Sequence, residues 1–277
     1  MTISNMASMN FAYRNLYINQ LNATKTMGKL SSGYRINSAG DDAAGLAISQ
    51  GMRGQIAGLG KAAENVTGAV SLVQTADGGL SNSADVLNRM RELAVQASNG
   101  AYSDSDRSLI NKEMQALKSQ LDQVASSTNY NGTKLLDGSL AGNNGLTFQI
   151  GANGGADQQM SLSVNDMSSA GLGLSNIGVG TLSGANSAID AIDSAINTLS
   201  TERSNLGATQ NRLVSSFNSI NLSTQNLYAS ESAIRDTDMV KSILEFTQQS
   251  IMLKASQAMM AQGMNMSRSN LMSLILR

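Results

Sequence analysis

A seven-residue repeat of apolar residues between Ile189 and Ile234 is the feature that most constrains the fold of this chain. Alternating steps of three and four residues give 14 positions, ten of them apolar: Ile189, Ile192, Ile196, Leu199, Arg203, Leu206, Gln210, Leu213, Phe217, Ile220, Thr224, Leu227, Glu231 and Ile234. Such a repeat lays one narrow apolar stripe along a helix and requires a partner helix with a matching stripe. A helix of this length would be roughly 70 Å long. Because an amphipathic helix on a globular core fits only half of this run, the repeat predicts a coiled-coil rod.

The absence of several residue types excludes some classes of function. The 277 residues include no Pro, so nothing interrupts long helices, and no Cys or His. The absence of Cys and His excludes disulfides, Ser-His and Cys-His catalysis and the usual zinc sites. The net charge of −1 argues against a nucleic-acid partner. We therefore expect neither enzymatic activity nor a bound cofactor or metal.

The charge is unevenly distributed along the chain. Residues 1–40 contain four basic and no acidic residues, and residues 241–277 contain four basic residues and one acidic residue. The segment between them contains 11 basic and 19 acidic residues. Because the two ends share a composition that the middle lacks, we expect them to belong to one domain.

The first 30 residues repeat the same spacing at Met6, Met9, Tyr13, Leu16, Gln20, Ala23, Met27 and Leu30. The pattern predicts a helix with one apolar face. Its large apolar side chains contribute at most about 1.5–3 kcal/mol each on burial, whereas ordering the backbone costs about 1–2 kcal/mol per residue. We therefore expect this helix to be disordered without a partner. A membrane-surface helix is the alternative, although the basic residues are sparse. We expect neither a cleaved secretory signal nor a membrane span.

The run from Leu30 to Ile48 links this helix to the next one. Ser31-Ser32-Gly33 is typical of a helix end, and Asp41 or Asp42 can cap the following helix. Two adjacent carboxylates also occur in metal or acid-base sites, but no third ligand lies nearby in the sequence. The run LSSGYRINSAGDDAAGLAIS is long and ungapped, and it resembles the N-terminal motif of bacterial flagellins, the subunits of the flagellar filament.

The middle of the chain continues the resemblance. A second repeat runs through Val66, Ala69, Val73, Ala76, Leu80, Ser83, Leu87, Met90, Ala94 and Ala97, and a third helix carries Ile110, Met114, Leu117, Leu121 and Val124. With the rod helix they predict three antiparallel helices that share one seam. Gly-rich residues 138–184 contain alternating runs typical of hairpin strands. The segments 87–96, 128–136 and 148–153 resemble flagellin.

The C-terminal end carries a further match. Ser230–Met239 resembles the C-terminal flagellin motif, and a last helix presents Met239, Ile243, Phe246, Leu253, Met260, Met264 and Leu271. The predicted fold is mainly α, with a long antiparallel coiled-coil rod, a small β-hairpin region, and paired N- and C-terminal helices. We predict an inner helical domain formed by residues 1–40 and 236–277. The rod domain, residues 41–235, has helices at about 42–98, 105–128 and 185–234 and a β-rich segment at about 129–184.

The resemblance implies a function. A flagellin subunit is secreted by the flagellar type III apparatus and polymerises with many copies of itself into the extracellular filament used for motility. Its partners would be an export chaperone, the filament cap and the hook-associated proteins. The resemblance assigns polymerisation to the terminal helices, through Met6, Met9, Tyr13, Leu16, Met27 and Leu30 at one end and through the C-terminal residues named above at the other.

The resemblance also implies recognition by the animal innate immune receptor for flagellin, through Arg89, Glu92, Leu93 and Glu113. Charged residues of this kind are equally typical of any solvated helix face. Three alternatives to a filament subunit are a hook-filament junction protein of the same terminal design, an amphipathic membrane-surface protein, and an enzyme with a central active site. The central segment contains no His-Glu-x-x-His run and no activated nucleophile, which argues against the enzyme.

Overall fold

The computed structural model describes the backbone of residues 2–275 and the side chains of residues 7, 9–266, 268–269 and 272. The helices are α1 (Thr2–Ser32), α2 (Ala43–Ala97), α3 (Asp104–Ser127), α4 (Leu182–Arg235) and α5 (Met239–Ile275). The strands are β1 (Asn129–Tyr130), β2 (Thr133–Lys134), β3 (Leu146–Gln149) and β4 (Gln159–Leu162). The predicted mainly α class with a small hairpin region is confirmed, and the three rod helices begin and end within three residues of their predicted bounds.

The chain divides into two compact units. The first unit contains the residues up to Gly54 together with those from Asn226, and the second contains Gln55–Gln225. The two ends of the chain therefore belong to one unit. The predicted domain boundaries, after residue 40 and after residue 235, both fall inside the first unit.

The turn between α1 and α2 uses the residues that the sequence indicates. Gly33 adopts a positive φ of 73°, and its N–H donates to the carbonyl of Lys29 at 2.9 Å. A residue without a Cβ is favoured in this left-handed conformation, which ends the helix. At the start of α2, Asp42 Oδ1 accepts a hydrogen bond from the N–H of Gly45 at 2.9 Å. Asp42 is thus the helix cap.

A buried arginine closes the turn between α2 and α3. Ser103 and Asp106 form a capping box at the start of α3. Arg107, only 6% exposed, donates to the carbonyl oxygens of Ala97 at 2.9 Å and Asn99 at 3.1 Å. These carbonyls lie at and just beyond the C-terminal end of α2, where backbone acceptors lack partners within the helix. The side chain of Arg107, on α3, therefore provides the hydrogen-bond donors that these carbonyl oxygens lack within α2.

The core of the second unit follows the predicted repeat on α2. All ten predicted positions from Val66 to Ala97 are at most 1% exposed. The helices α2 and α4 are antiparallel, because Arg91 pairs with Asp193 at 2.6 Å and Arg203 pairs with Asp77 at 2.8 Å. The predicted antiparallel rod is thereby confirmed.

On α4 one of the two predicted columns needs a correction. Ile192, Leu199, Leu206, Leu213 and Ile220 recur every seven residues and are buried, as the repeat predicts. The second buried column is shifted by one residue, to Ala188, Ala195 and Glu202, whereas the predicted Ile189, Ile196 and Arg203 are half-buried. The small Ala side chains let α4 approach the core closely, and Arg203 turns outward to its ion pair with Asp77.

The β-rich segment is shorter than predicted. Strands β1 and β2 form a hairpin whose turn residues, Asn131 and Gly132, have φ values of 50° and 80°, the conformation of a tight hairpin turn. Strands β3 and β4 pair antiparallel, with Phe148 opposite Met160. Residues 163–181 contain no strand, and they cover the core with irregular chain. Their buried apolar side chains are Val164, Met167, Leu172, Leu174 and Val179.

Candidate assembly surface

The two terminal helices pair along a seam whose residues recur at steps of three and four. On α1 the half-buried and buried seam positions are Met9, Ala12, Leu16, Asn19, Ala23, Thr26 and Leu30. On α5 they are Ser242, Phe246, Gln249, Leu253, Ser256, Met260 and Gly263. Each helix thus contributes one apolar column and one column of small or polar residues. The predicted pairing of the terminal helices is confirmed, but only half of the seam is apolar.

Hydrogen bonds join the polar columns. Asn19 Nδ2 donates to Ser256 Oγ at 3.1 Å, and Thr26 Oγ1 lies 2.8 Å from Gln249 Oε1. Thr26 and Ser256 are 6% and 5% exposed. A buried polar group costs free energy unless it is paired. The two pairs therefore fix which residues of α1 and α5 lie opposite each other, as polar residues do in coiled coils.

The sequence-based seam mixed two surfaces that the structure separates. Met9, Leu16, Leu30, Phe246, Leu253 and Met260 are half-buried in the seam between α1 and α5. Tyr13, Met27, Met239, Ile243 and Met264 are instead between 44% and 62% exposed. For Tyr13, Met27, Ile243 and Met264 the reason is that the preceding residue, which is small or polar, occupies the seam position, so the larger side chain lies outside the seam. The side chains of Met6 and Leu271 lie outside those that the structure describes.

Large apolar side chains are concentrated on the outside of the first unit. Among the described residues, 18 of the 23 exposed large apolar side chains belong to it, although it is the smaller unit. The most exposed are Phe11 at 70%, Val240 at 71% and Leu244 at 66%. Contiguous exposed apolar patches mark sites of protein association. We call these 18 residues the apolar surface: Phe11, Tyr13, Tyr17, Ile18, Leu21, Met27, Ile48, Tyr228, Met239, Val240, Ile243, Leu244, Ile251, Met252, Met259, Met264, Met266 and Met272.

Backbone hydrogen bonds join the two chain segments that form the first unit, next to the end of α1 and the start of α5. The N–H of Arg35 donates to the carbonyl of Arg235 at 2.6 Å, and the N–H of Thr237 donates to the carbonyl of Gly33 at 3.0 Å. The guanidinium of Arg235 lies 4.4 Å from the ring centroid of Tyr34, a cation-π distance. The segment after α1 is thus tied directly to the segment before α5.

Asp41 holds the loop before α2. Its carboxylate lies 2.9 Å from Lys25 Nζ and accepts hydrogen bonds from the N–H groups of Ser38 and Asn37. The bond to Lys25, followed by those from the two N–H groups, lowers the pKa of Asp41 from 3.8 to about 2. The stabilisation is therefore present above pH 3.8 and is lost as the pH falls through about 2. Asp41 therefore stabilises the loop, as Asp42 caps α2, and the two adjacent carboxylates both have structural roles.

A second cluster of predicted site residues lies on the second unit. Arg89 on α2 pairs with Glu92 on the same helix at 3.0 Å and with Glu113 on α3 at 2.8 Å. All three side chains are exposed. The hydrogen bonds raise the pKa of Arg89 above its ordinary value, with Glu113 contributing more than Glu92. The geometry therefore places Arg89, Glu92 and Glu113 together on one charged surface.

Leu93 does not belong to that surface. Its side chain is only 2% exposed and lies in the core of the second unit. Residues 90, 93, 94 and 97 share one face of α2, since helical neighbours lie three and four residues apart. The inclusion of Leu93 among surface contacts is therefore wrong for the folded second unit.

Among the residues whose side chains the structure describes, no three His, Cys, Asp or Glu residues are close enough together to hold a metal ion. None of the helices described here is both long and apolar enough to span a membrane.

Comparison with known proteins identifies the family. Residues 3–141 match the bacterial flagellin N-terminal helical region, and residues 189–275 match the bacterial flagellin C-terminal helical region. A flagellin of Halalkalibacterium halodurans is 44% identical over 94% of each chain. The flagellar filament 31.3 kDa core protein of Treponema maltophilum is 39% identical over 98% of each chain.

A solved structure agrees with these matches. The crystal structure of Bacillus cereus flagellin is 29% identical, with a TM-score of 0.50, and the match covers 57% of this chain and 88% of that one. The sequence matches thus cover both terminal regions of the chain, and the structural match covers more than half of it. The chain belongs to the bacterial flagellin family.

Proposed function

We propose that this chain is the structural subunit of a bacterial flagellar filament and that it polymerises through the apolar surface of its first unit. The observation that carries the proposal is the concentration of 18 exposed large apolar side chains on that unit. Burial of each such side chain against a neighbour is worth about 1.5–3 kcal/mol. Small or polar residues occupy half of the seam between α1 and α5, so most of the large apolar side chains of these helices lie outside it. In a single chain their apolar area is therefore exposed to water.

The contacts between subunits are heterologous: a surface on one copy meets a different surface on the next. Heterologous contacts that do not close into a ring generate an open helical polymer. The paired helices α1 and α5 supply the assembly contacts. The second unit has few exposed apolar side chains, and it serves as a preformed helical rod.

The partners follow from family membership. The subunit is exported through the flagellar type III apparatus to the cell exterior, and a chaperone covers the apolar α5 before export. Assembly takes place under a filament cap, on a base of hook-associated proteins. The hook-filament junction protein is the less favoured alternative, because both family regions matched are those of flagellin.

The proposal is tested by seeding purified protein with short filament fragments. We expect the far-ultraviolet circular dichroism to become more helical and the protein to enter the pellet on sedimentation. The reason is that burial of the apolar surface against neighbouring copies offsets the conformational entropy that α1 and α5 lose when they become ordered. A monomer that is already fully helical and stays soluble beside seeds would argue for the junction-protein or membrane-surface alternative.

A second proposed interaction is recognition by the animal innate immune receptor for flagellin. Its support is the exposed cluster of Arg89, Glu92 and Glu113, which presents one cation and two carboxylates from two helices. A fixed arginine of this kind is a common centre of interface energy. Leu93 is excluded from this surface because it is buried.

We expect Arg89→Ala to weaken receptor signalling at least about tenfold, since interface hot spots are worth about 2 kcal/mol or more. The measurement is a dose response of receptor-expressing reporter cells to purified monomer. The matched control is Arg91→Ala, which removes an exposed arginine of the same helix that pairs with Asp193. Filament formation is expected to be unchanged in both variants. Equal signalling by Arg89→Ala and the wild type would rule out this surface.

A further inference from the structure

Methionine is the most readily oxidised side chain in this protein. The sequence contains 16 Met but no Cys, His or Trp. Thioether sulfur is converted by peroxides to the sulfoxide, which is polar and can be reduced enzymatically. The methionines are in two contrasting environments. Met90, Met114, Met160 and Met167 of the second unit are at most 4% exposed, whereas most of those described on α5 are exposed.

Three of the exposed methionines lie along one line of α5. Met252, Met259 and Met266 are 40%, 64% and 55% exposed and recur every seven residues. Seven residues are nearly two helical turns, so these side chains share one face at intervals of about 10.5 Å. We call these three residues the methionine line.

A groove between α1 and α5 runs beside this line. It has a volume of about 340 Å³, and Met252 and Met259 line it on the α5 side. Ala12, Asn15, Ile18 and Asn19 line the α1 side. Asn19 already donates its amide to Ser256. Five of the eight residues that line the groove are apolar, including Ala255, and both Met252 and Met259 belong to the apolar surface.

We propose that the methionine line is a reversible oxidation site that controls assembly of the subunit, an inference that rests on the proposed function. Hydrogen peroxide is the oxidant. A sulfur lone pair attacks one peroxide oxygen, an S–O bond forms and the O–O bond breaks. The thioether loses two electrons to become the sulfoxide, and after proton transfer the other oxygen leaves as water.

The consequence for assembly follows from solvation. In the unassembled subunit the three sulfur atoms are open to water and peroxide, and a sulfoxide there keeps its hydration. In the filament the apolar surface is covered by a neighbouring copy, so each sulfoxide oxygen loses hydrogen bonds to water that a largely apolar contact does not replace. Oxidation therefore prevents the unassembled subunit from joining a filament. In the filament the same residues are shielded from the oxidant.

The test compares growth onto seeds before and after peroxide treatment of the full-length protein. Peptide mass spectrometry reports which methionines carry one added oxygen. We expect oxidation of the methionine line to raise the critical concentration at least about tenfold, since tenfold corresponds to 1.4 kcal/mol and one unpaired buried polar group costs at least this order. Treatment with the two methionine sulfoxide reductases, one per sulfoxide epimer, is expected to restore growth.

Two sets of variants separate this site from the other exposed methionines. The triple variant Met252→Leu, Met259→Leu, Met266→Leu keeps helix propensity and apolar character, and we expect its critical concentration after peroxide to equal that of the same variant before peroxide. The matched control Met27→Leu, Met264→Leu removes methionines that are 53% and 52% exposed but lie off the line. We expect this control to remain sensitive.

Three results would decide against the inference. If the triple variant lost growth after peroxide as the wild type does, or if wild-type protein oxidised at all three residues grew normally, the methionine line would not control assembly. Either result leaves the proposed polymerisation intact, because untreated protein still grows. Failure of untreated wild-type protein to grow onto seeds would instead overturn the proposed function, and this inference with it.

Discussion

The double variant Leu244→Asp, Ile251→Asp is expected not to grow onto filament seeds. The two side chains are 66% and 63% exposed and lie seven residues apart on α5, so they share one line of the apolar surface. Because both side chains are mostly exposed, their replacement removes little buried area within the first unit. Placing a carboxylate in an interface that excludes water costs several kcal/mol unless the charge is paired. Two such charges should raise the critical concentration more than about a hundredfold.

The measurement is sedimentation of protein mixed with wild-type seeds over a range of concentrations. The matched control is Val214→Asp, Leu222→Asp, which introduces the same two charges on α4 at residues that are 46% and 61% exposed. These residues belong to the second unit, and we expect growth close to that of the wild type. Normal growth of the α5 variant would exclude the outer face of α5 from the assembly contacts.

Replacement of Leu213 by Ala should produce a large loss of stability in the second unit. Leu213 is fully buried at 0% exposure, between Leu206 and Ile220 in the seven-residue column of α4. Truncating a buried leucine removes its transfer free energy and leaves a cavity, which together cost about 2–5 kcal/mol. We expect the free energy of unfolding of the monomer to fall by that amount.

Guanidinium denaturation followed by circular dichroism measures this change. The control is Leu222→Ala on the same helix, which removes the same atoms from a side chain that is 61% exposed. Its effect should stay within about 0.5 kcal/mol. Similar losses for both variants would mean that the column of α4 is not the core of the rod.

The second unit was predictable from the sequence because its seam is almost entirely apolar. Every predicted position on α2 is buried, including Ser83 at 1% exposure. The shift on α4 was harder to predict, since Ala188 and Ala195 are weak hydrophobic signals beside Ile189 and Ile196. Leu93 could have been placed correctly: it lies three residues after Met90 and four before Ala97, both on the predicted stripe.

The polar half of the terminal seam could not be found from an apolar repeat. Asn19 and Thr26 look like solvent-exposed residues in the sequence of α1. Their partners Ser256 and Gln249 lie 237 and 223 residues away along the chain. Only the pairing of the helices shows that each polar group satisfies another. The exposed positions of Tyr13 and Met264 have a related cause, since the small residues Ala12 and Gly263 occupy the seam positions beside them.

The two hydrogen bonds between α1 and α5 also bear on how uniform a polymer of this chain can be. The apolar column repeats every seven residues on both helices, so a slip of seven residues would still place apolar groups opposite one another. A slip in one direction would place Asn19 opposite Gly263, which has no side chain to accept its hydrogen bond. The polar pairs therefore disfavour a misaligned pairing of α1 and α5 that apolar contacts alone would tolerate. Every subunit therefore has its terminal helices paired in the same register, as a regular polymer of identical subunits requires.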